Sequence, residues 1–328
     1  MNKDIEYFLK EHNKNLVAVP NILGRETAYY LYHTYGSAEV ATILGKNNFP
    51  GGSRLDLYLD RTGHEREPVS ERMLFGLTFE KCILDHWEEH YMLNDKRYLN
   101  EMVVYNKNDT SFNRAEGEGH FDFLRATPDA ITYDLIQSKV KRIIDVKNMD
   151  KYYESSWEEA IPEYYQVQAQ LYMAILNVNE FLFVCCFGGN KMKEYHLRRD
   201  GRSFNITNVA QQVKAFQEKY INTETEPMGD FEHPHYGKAL ARLKGQDYVD
   251  KNAWDLKEIT LEEEIILTLD KSKRLMDLHK RKYDAIRAYI CQILLSNETY
   301  EMNIVGSKKF KKALLKESPT KGYYVILK

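Results

Sequence analysis

The chain has 328 residues and a formal charge of −3, long enough to bury a large core in one domain or in a domain with an appendage. With 43% hydrophobic and 29% charged residues it has the makeup of an ordinary globular protein. That balance excludes a global basic field, so any nucleic-acid surface must be a local patch.

The four cysteines, Cys82, Cys185, Cys186 and Cys291, form no CxxC metal pair and read as reduced, buried thiols. No apolar run approaches membrane-spanning length, and "MNKDIEYFLKEHNKN" is a charged helix pattern rather than a signal peptide. Together these predict a protein of the cytoplasm.

Up to His90 the pattern is mainly helical. Ile5, Phe8 and Leu9 recur at helical spacing, "SAEVATILG" is a short helix stopped at Gly45, and "SRLDLYLDRTG" is another stopped at Gly63. "SERMLFGLTFEKCILDHWEEHY" carries Phe75, Phe79, Ile83 and Trp87 at successive helical steps. This predicts a long, largely buried helix with Ser70 as its N-cap. The period then shortens, and "EMVVYN", "HFDFLRATPDAITYD" and "VKRIIDVK" read as strands. "IPEYYQVQAQLYMAILN" returns to helix, opened by Pro162, with Val167, Leu171, Ala174 and Val178 as its core stripe. "EFLFVCCFGG" and "KMKEYHLRR" form a hairpin around Gly188-Gly189-Asn190, and "NITNVAQQVKAFQEKYI" is a closing helix. The stretch "NTETEPMGDFEHPHYG", with Pro227, Gly229 and Pro234, marks a boundary. The expected organisation is a domain over residues 1–222, a linker over 223–258, and a segment over 259–328 made of one long helix and strand-like runs around a lysine-rich turn.

Within "RIIDVK", strand alternation turns Ile144 and Val146 to one face and Asp145 and Lys147 to the other. Alone, such a D-x-K is a strand-edge ion pair of little consequence. But Asp129 follows Thr127-Pro128 at the start of the preceding strand, at hairpin spacing from Asp145. Two converging carboxylates with one lysine repel each other unless a hard divalent cation sits between them. Mg²⁺ favours such an oxygen cage, completed by water and a substrate phosphate. Lys147 would then orient or deprotonate an attacking water and offset charge that develops on the phosphorus. The pattern predicts a metal-dependent phosphodiesterase.

Asp129…Asp145-Val146-Lys147 also matches the PD-(D/E)xK motif, with Pro128 as its proline. Over residues 22–200 the chain resembles the YqaJ-type viral recombinase family, the lambda exonuclease-like nucleases. "YGSAEVATILGKNNFPGGSRLDLYLDRTG" is similar to the family's N-terminal helical stretch. "FGLTFEKCILDHWEEHY" resembles its G-x-x-x-E helix, and "IPEYYQVQAQLYMAIL" its P-x-Y-Y-x-Q-x-Q-x-x-Y helix. The blocks stand in the family's order.

The resemblance implies an α/β fold with a PD-(D/E)xK restriction-endonuclease-like core and a central mixed sheet flanked by helices, to which the long helix pattern after residue 259 adds a C-terminal helical extension. It implies a Mg²⁺-dependent DNA exonuclease, with Mn²⁺ able to substitute, in a phage or prophage recombination system within a bacterial host. Such an enzyme resects duplex ends for a single-strand annealing partner, and trimeric rings in the family suggest a homo-oligomer. Glu80, Asp129, Asp145 and the Val146 carbonyl would hold the metal, with both aspartates counted as catalytic. Lys147 and Gln168 would serve the attacking water, and Tyr172 and Ser37 would meet the substrate. One departure stands out. Leu31 occupies the place of a family arginine that grips a 5′-phosphate, with Ser37 or Ala38 at a family serine, leaving Arg25 or Lys46 as substitutes. The competing readings are a non-catalytic DNA-end-binding or defence-interacting protein on a nuclease fold, and an endonuclease that cuts closed circles.

Other features carry less. His120 reads as a turn residue. His233 and His235 lack a third ligand at metal spacing and read as loop. Gln166 and Gln170 read as the polar stripe of an amphipathic helix. The basic runs "KSKRLMDLHKRKYDAIR" and "GSKKFKKALLK" are either a solvated face or a contact for the DNA backbone.

Overall fold

The strand that carries Asp145 is the pivot of the architecture. Its run Lys139–Met149 is β-branched and apolar at its centre and is buried on both faces from Arg142 to Val146, as a central strand requires. A computed structural model of the chain describes residues 4–19, 34–63, 71–114, 121–201, 204–243, 276–297, 299, 301–303, 312–318 and 322–327. It divides into two units, one of residues 1–46 and 68–215, the other of residues 47–67 and 216–328.

In the first unit, α1 (Ile5–His12) leads into β1 (Leu16–Val19), which pairs antiparallel with β3 (Ser111–Arg114). A second sheet contains β2 (Glu101–Tyr105), β4 (Ala130–Asp134), β5 (Lys139–Met149), β6 (Glu180–Phe187) and β7 (Lys191–Arg198), in the order β2-β4-β5-β6-β7. Only β5 and β6 run parallel; the other pairs are antiparallel. A parallel pair needs a crossover connection. The helices Glu154–Glu159 and Glu163–Leu176 supply it. The fold is therefore α/β with a mixed central sheet, as expected.

One face of this sheet is covered by the helix Glu71–His90. Ile83, Leu84 and Trp87 form a single cluster there with Ala130, Ile144, Val146, Leu182 and Val184. Burying each of these Ile, Leu or Val side chains is worth about 1.5–3 kcal/mol. The opposite face carries Asp145 and Phe183, aligned with each other across the parallel pair.

Several expectations need correction. Ile83 and Trp87 are buried, but Phe75 is 56% and Phe79 42% exposed, so only the C-terminal half of that helix lies in the core. Its expected cap, Ser70, lies outside the described residues. Cys185, Cys186 and Cys291 are buried, whereas Cys82 is exposed; all four are free thiols. Asn177 adopts the left-handed conformation (φ 58°) and ends the helix Glu163–Leu176, so Val178 is buried beyond its end. The hairpin β6–β7 turns, as expected, at Gly188 (φ 62°) and Gly189 (φ 75°).

In the second unit the helix Arg54–Arg61 opens with a capping box between Ser53 and Asp56. The helix Tyr236–Leu243 lies inside the stretch read as a linker, yet buries Tyr236, Ala239 and Leu240. Its Arg242 grips Asp56 at 2.9 Å and Asp60 at 2.6 Å, tying it to the first helix. The C-terminal portion holds both a helix and strands. After the helix Met276–Ser296, three short strands, Glu301–Asn303, Lys312–Ser318 and Gly322–Leu327, form an antiparallel sheet. Residues 259–275 of the expected long helix lie outside the described residues. Among the described residues no helix is long and apolar enough to cross a membrane.

Candidate active site

Asp129 is held from both sides of its peptide. The Asn106 N–H donates to the Asp129 carbonyl at 2.9 Å, and the Asn106 amide donates to the Pro128 carbonyl at 2.8 Å. The same amide closes its own turn through the Thr110 carbonyl and N–H, at 3.0 and 2.8 Å. Antiparallel pairing of Ala130 with Ile144 then carries the Asp129 carboxylate to β5, where its Oδ2 accepts the Val146 N–H at 2.6 Å.

Asp145 is 2% exposed. Its Oδ1 accepts the Gln168 amide at 2.7 Å, and its Oδ2 meets the Lys147 ammonium. A strand and the crossover helix thus deliver acid, lysine and glutamine to one point. Glu80, from the helix on the other face, lies close enough to feel the charges of Asp145 and Lys147.

The electrostatics are those of crowded acids. Burial pushes the Asp129 carboxyl well above the ordinary aspartate range and the Asp145 charge pushes it further, against the pull of Lys147 and the Val146 N–H. Burial raises Asp145 too, opposed by Lys147 and Gln168. Glu80 is pushed up to about 7, first by burial and then by Asp145. Burial works against the Lys147 charge, but Asp145 and Asp129 outweigh it and hold the amine above the usual lysine value. Three carboxyls therefore share one ammonium in a site poor in water.

A divalent cation suits this donor set, because Mg²⁺ takes one or two carboxylates and fills its shell with water and phosphate oxygen. The carboxylates do not form a closed cage by themselves: among the described residues no three His, Cys, Asp or Glu side chains are arranged to enclose an ion.

The two expected substrate contacts are largely buried, as Asp145 is. Tyr172 and Ser37 are 5% and 9% exposed. The Tyr172 hydroxyl lies beside the Ser37 side chain, the Thr127 backbone and Gln168, so the pair links the helix Ser37–Ile43 to the site. Ala38 faces solvent. Lys46 is already engaged by both oxygens of Glu163, at 3.0 Å each. Leu31, Arg25 and His120 lie outside the described residues, as do residues 271–275 and 306–311 of the two basic C-terminal runs. Gln166 bonds the Ile161 carbonyl, while Gln170 bonds the Arg198 carbonyl and the Asp200 N–H, both away from Asp145. His233 and His235 sit in a turn.

Two residues escaped sequence reasoning. Asn106 registered only as the last residue of the strand-like run "EMVVYN". Arg125 belongs to no motif, yet it lies against Gly36, where a Cβ would stand 3.2 Å from its guanidinium. It donates to the Thr34 carbonyl and to Glu39, at 2.6 and 2.9 Å.

Residues 31–179 match the family described as the YqaJ-like viral recombinase domain. No curated protein matches the chain. Among solved structures, the alkaline exonuclease LHK-Exo from Laribacter hongkongensis is 16% identical, with 61% of this chain and 92% of that chain covered and a TM-score of 0.40. The same protein in complex with dAMP gives 17% identity, the same coverage and 0.41. SSO0001 is 10% identical over 61% of this chain and 89% of its own, with a TM-score of 0.32. By that match, residues 31–179 of this chain are similar to the YqaJ-like viral recombinase domain.

Proposed function

We propose that the chain is a Mg²⁺-dependent DNA exonuclease of PD-(D/E)xK type, which resects duplex ends in phage or prophage recombination and leaves single strands for an annealing partner. The observation that carries this reading is the convergence of Asp129, Asp145, Lys147 and Gln168 at one buried point. Asp129, Asp145 and Glu80, with the Val146 carbonyl, would hold the cation. When bound, it supplies Lewis acidity to the phosphodiester and acidifies a water.

The chain's own residues do the rest. Gln168 fixes one oxygen of Asp145, and Lys147 meets the other. Lys147 sets a positive charge beside the phosphorus, where negative charge grows during attack. Glu80, with its pKa about 7, gives up a proton near neutrality and so makes cation binding stronger as pH rises. Tyr172 and Ser37 keep the helix that carries Gln168 seated. Duplex DNA ends are the substrate, and a homo-oligomer is the assembly this reading favours.

The test uses purified full-length protein, Mg²⁺, and linear or closed circular duplex with either end phosphorylated. Linear DNA is degraded and circles stay intact. Asp129→Asn slows hydrolysis ~10³-fold, as the loss of several kcal/mol of charge stabilisation implies. Cutting of circles would replace this reading with an endonuclease. End binding without hydrolysis in Mg²⁺ or Mn²⁺ would replace it with a non-catalytic binder.

A further inference from the structure

Lys147 has a second set of neighbours besides its carboxylates. Its Nζ lies 5.5 Å from the centroid of the Tyr165 ring and 5.9 Å from that of Phe183. These rings touch each other at 5.8 Å and 72°. Trp157 packs on both, 4.9 Å from Tyr165 and 5.4 Å from Phe183. Phe183 and Trp157 are almost wholly buried. The rings come from both crossover helices and from β6, and Phe183 is the residue paired with Asp145 in the parallel register. Separate elements therefore converge on one ammonium.

Carboxylates alone hold a lysine poorly in place, because the ammonium is a compact charge on a flexible stem with no planar fork to fix its direction. The face of an aromatic ring is negative and attracts a cation most strongly where water is excluded. The two kinds of partner also differ in what else they bind. A hard divalent cation competes with Lys147 for carboxylate oxygen, whereas the ring faces offer that cation no oxygen. An ammonium held by rings therefore keeps its position while its acidic partners are otherwise occupied.

We infer that Tyr165, backed by Phe183 and Trp157, is a positioning residue that holds the Lys147 ammonium in its working place. The inference rests on the nuclease reading above and adds a residue to that machinery.

The decisive experiment alters the charge of the ring face and leaves its shape alone. Tyr165 in the full-length protein is replaced by phenylalanine and by progressively fluorinated phenylalanines, and kcat and KM on linear duplex in Mg²⁺ are measured with the melting temperature. Phenylalanine restores kcat to within about threefold of the natural residue. Each added fluorine lowers kcat, by about tenfold across the series, while KM and melting temperature stay level. Tyr165→Leu loses at least as much. A kcat that ignores fluorination, alongside an inactive Asp129→Asn, overturns the inference and leaves the nuclease reading standing. Hydrolysis by Asp129→Asn at the natural rate overturns that reading itself.

Discussion

Asp145 has almost no access to water, and its charge is balanced by one ammonium and one amide. Removing one partner of a buried pair costs more than the pair contributes, because the other charge stays behind. Lys147→Met should therefore destabilise the protein by about 3 kcal/mol in denaturant unfolding, and the double variant Lys147→Met/Asp145→Asn should regain most of that. Equal stability of the single variant and the natural chain would mean that the pair is solvated. Asn106 is a quieter case. Asn106→Ala strands the Thr110 N–H and the carbonyls of Thr110 and Pro128, for a loss of about 2 kcal/mol and a drop in hydrolysis greater than its drop in binding. Strand alternation in "RIIDVK" was enough to place Asp145 and Lys147 on one face. It could not reveal Asn106 or Tyr165, because the site residues they touch are distant in sequence and their residue types serve equally as turn and core material.

The helix Glu71–His90 shows where periodicity stops being informative. Its apolar spacing runs from Phe75 to Trp87, but the sheet covers only the part from Ile83 onward. A repeat in sequence marks a face; it does not say how far the opposing layer extends. Trp87→Ala should cost about 3–5 kcal/mol through the cavity it leaves. Phe75→Ala should change stability by under about 0.5 kcal/mol, since its ring already meets solvent. Matching losses from both variants in chemical denaturation would show that the whole stripe is covered. The β6–β7 hairpin was legible for the converse reason, as Gly188 and Gly189 supply left-handed conformations (φ 62° and 75°) that a local signal can encode. After Ser296 strand-like runs were legible but their pairing was not, because Glu301–Asn303 is three residues long and gains its meaning from pairing with Lys312–Ser318.

At the scale of the molecule the site is a source of instability that a cation would relieve. The carboxyls of Glu80, Asp129 and Asp145 all titrate above their ordinary values of 4.5 and 3.8. The folded chain therefore binds these protons more tightly than the unfolded chain, and stability must fall as pH rises through the intervening range. For Glu80 that range runs from 4.5 to about 7, and above it the repulsion is complete. Lys147 does not contribute to this slope, because its raised pKa keeps it charged throughout. In chelator, the melting temperature of the full chain should decline from about pH 5 to about pH 8. If Mg²⁺ is the cofactor, as proposed, it would bind the ionised site alone, so it should raise the melting temperature near pH 8 and have little effect near pH 5. At a concentration a hundred times its dissociation constant the gain approaches about 2.7 kcal/mol. Asp129→Asn should flatten the slope in chelator and shrink the Mg²⁺ response, since it removes one charge from both effects. A monovalent salt of equal ionic strength should not reproduce the Mg²⁺ response, because screening acts weakly on buried charges. A melting temperature that neither declines with pH in chelator nor responds to Mg²⁺ near pH 8 would separate these acids from any metal.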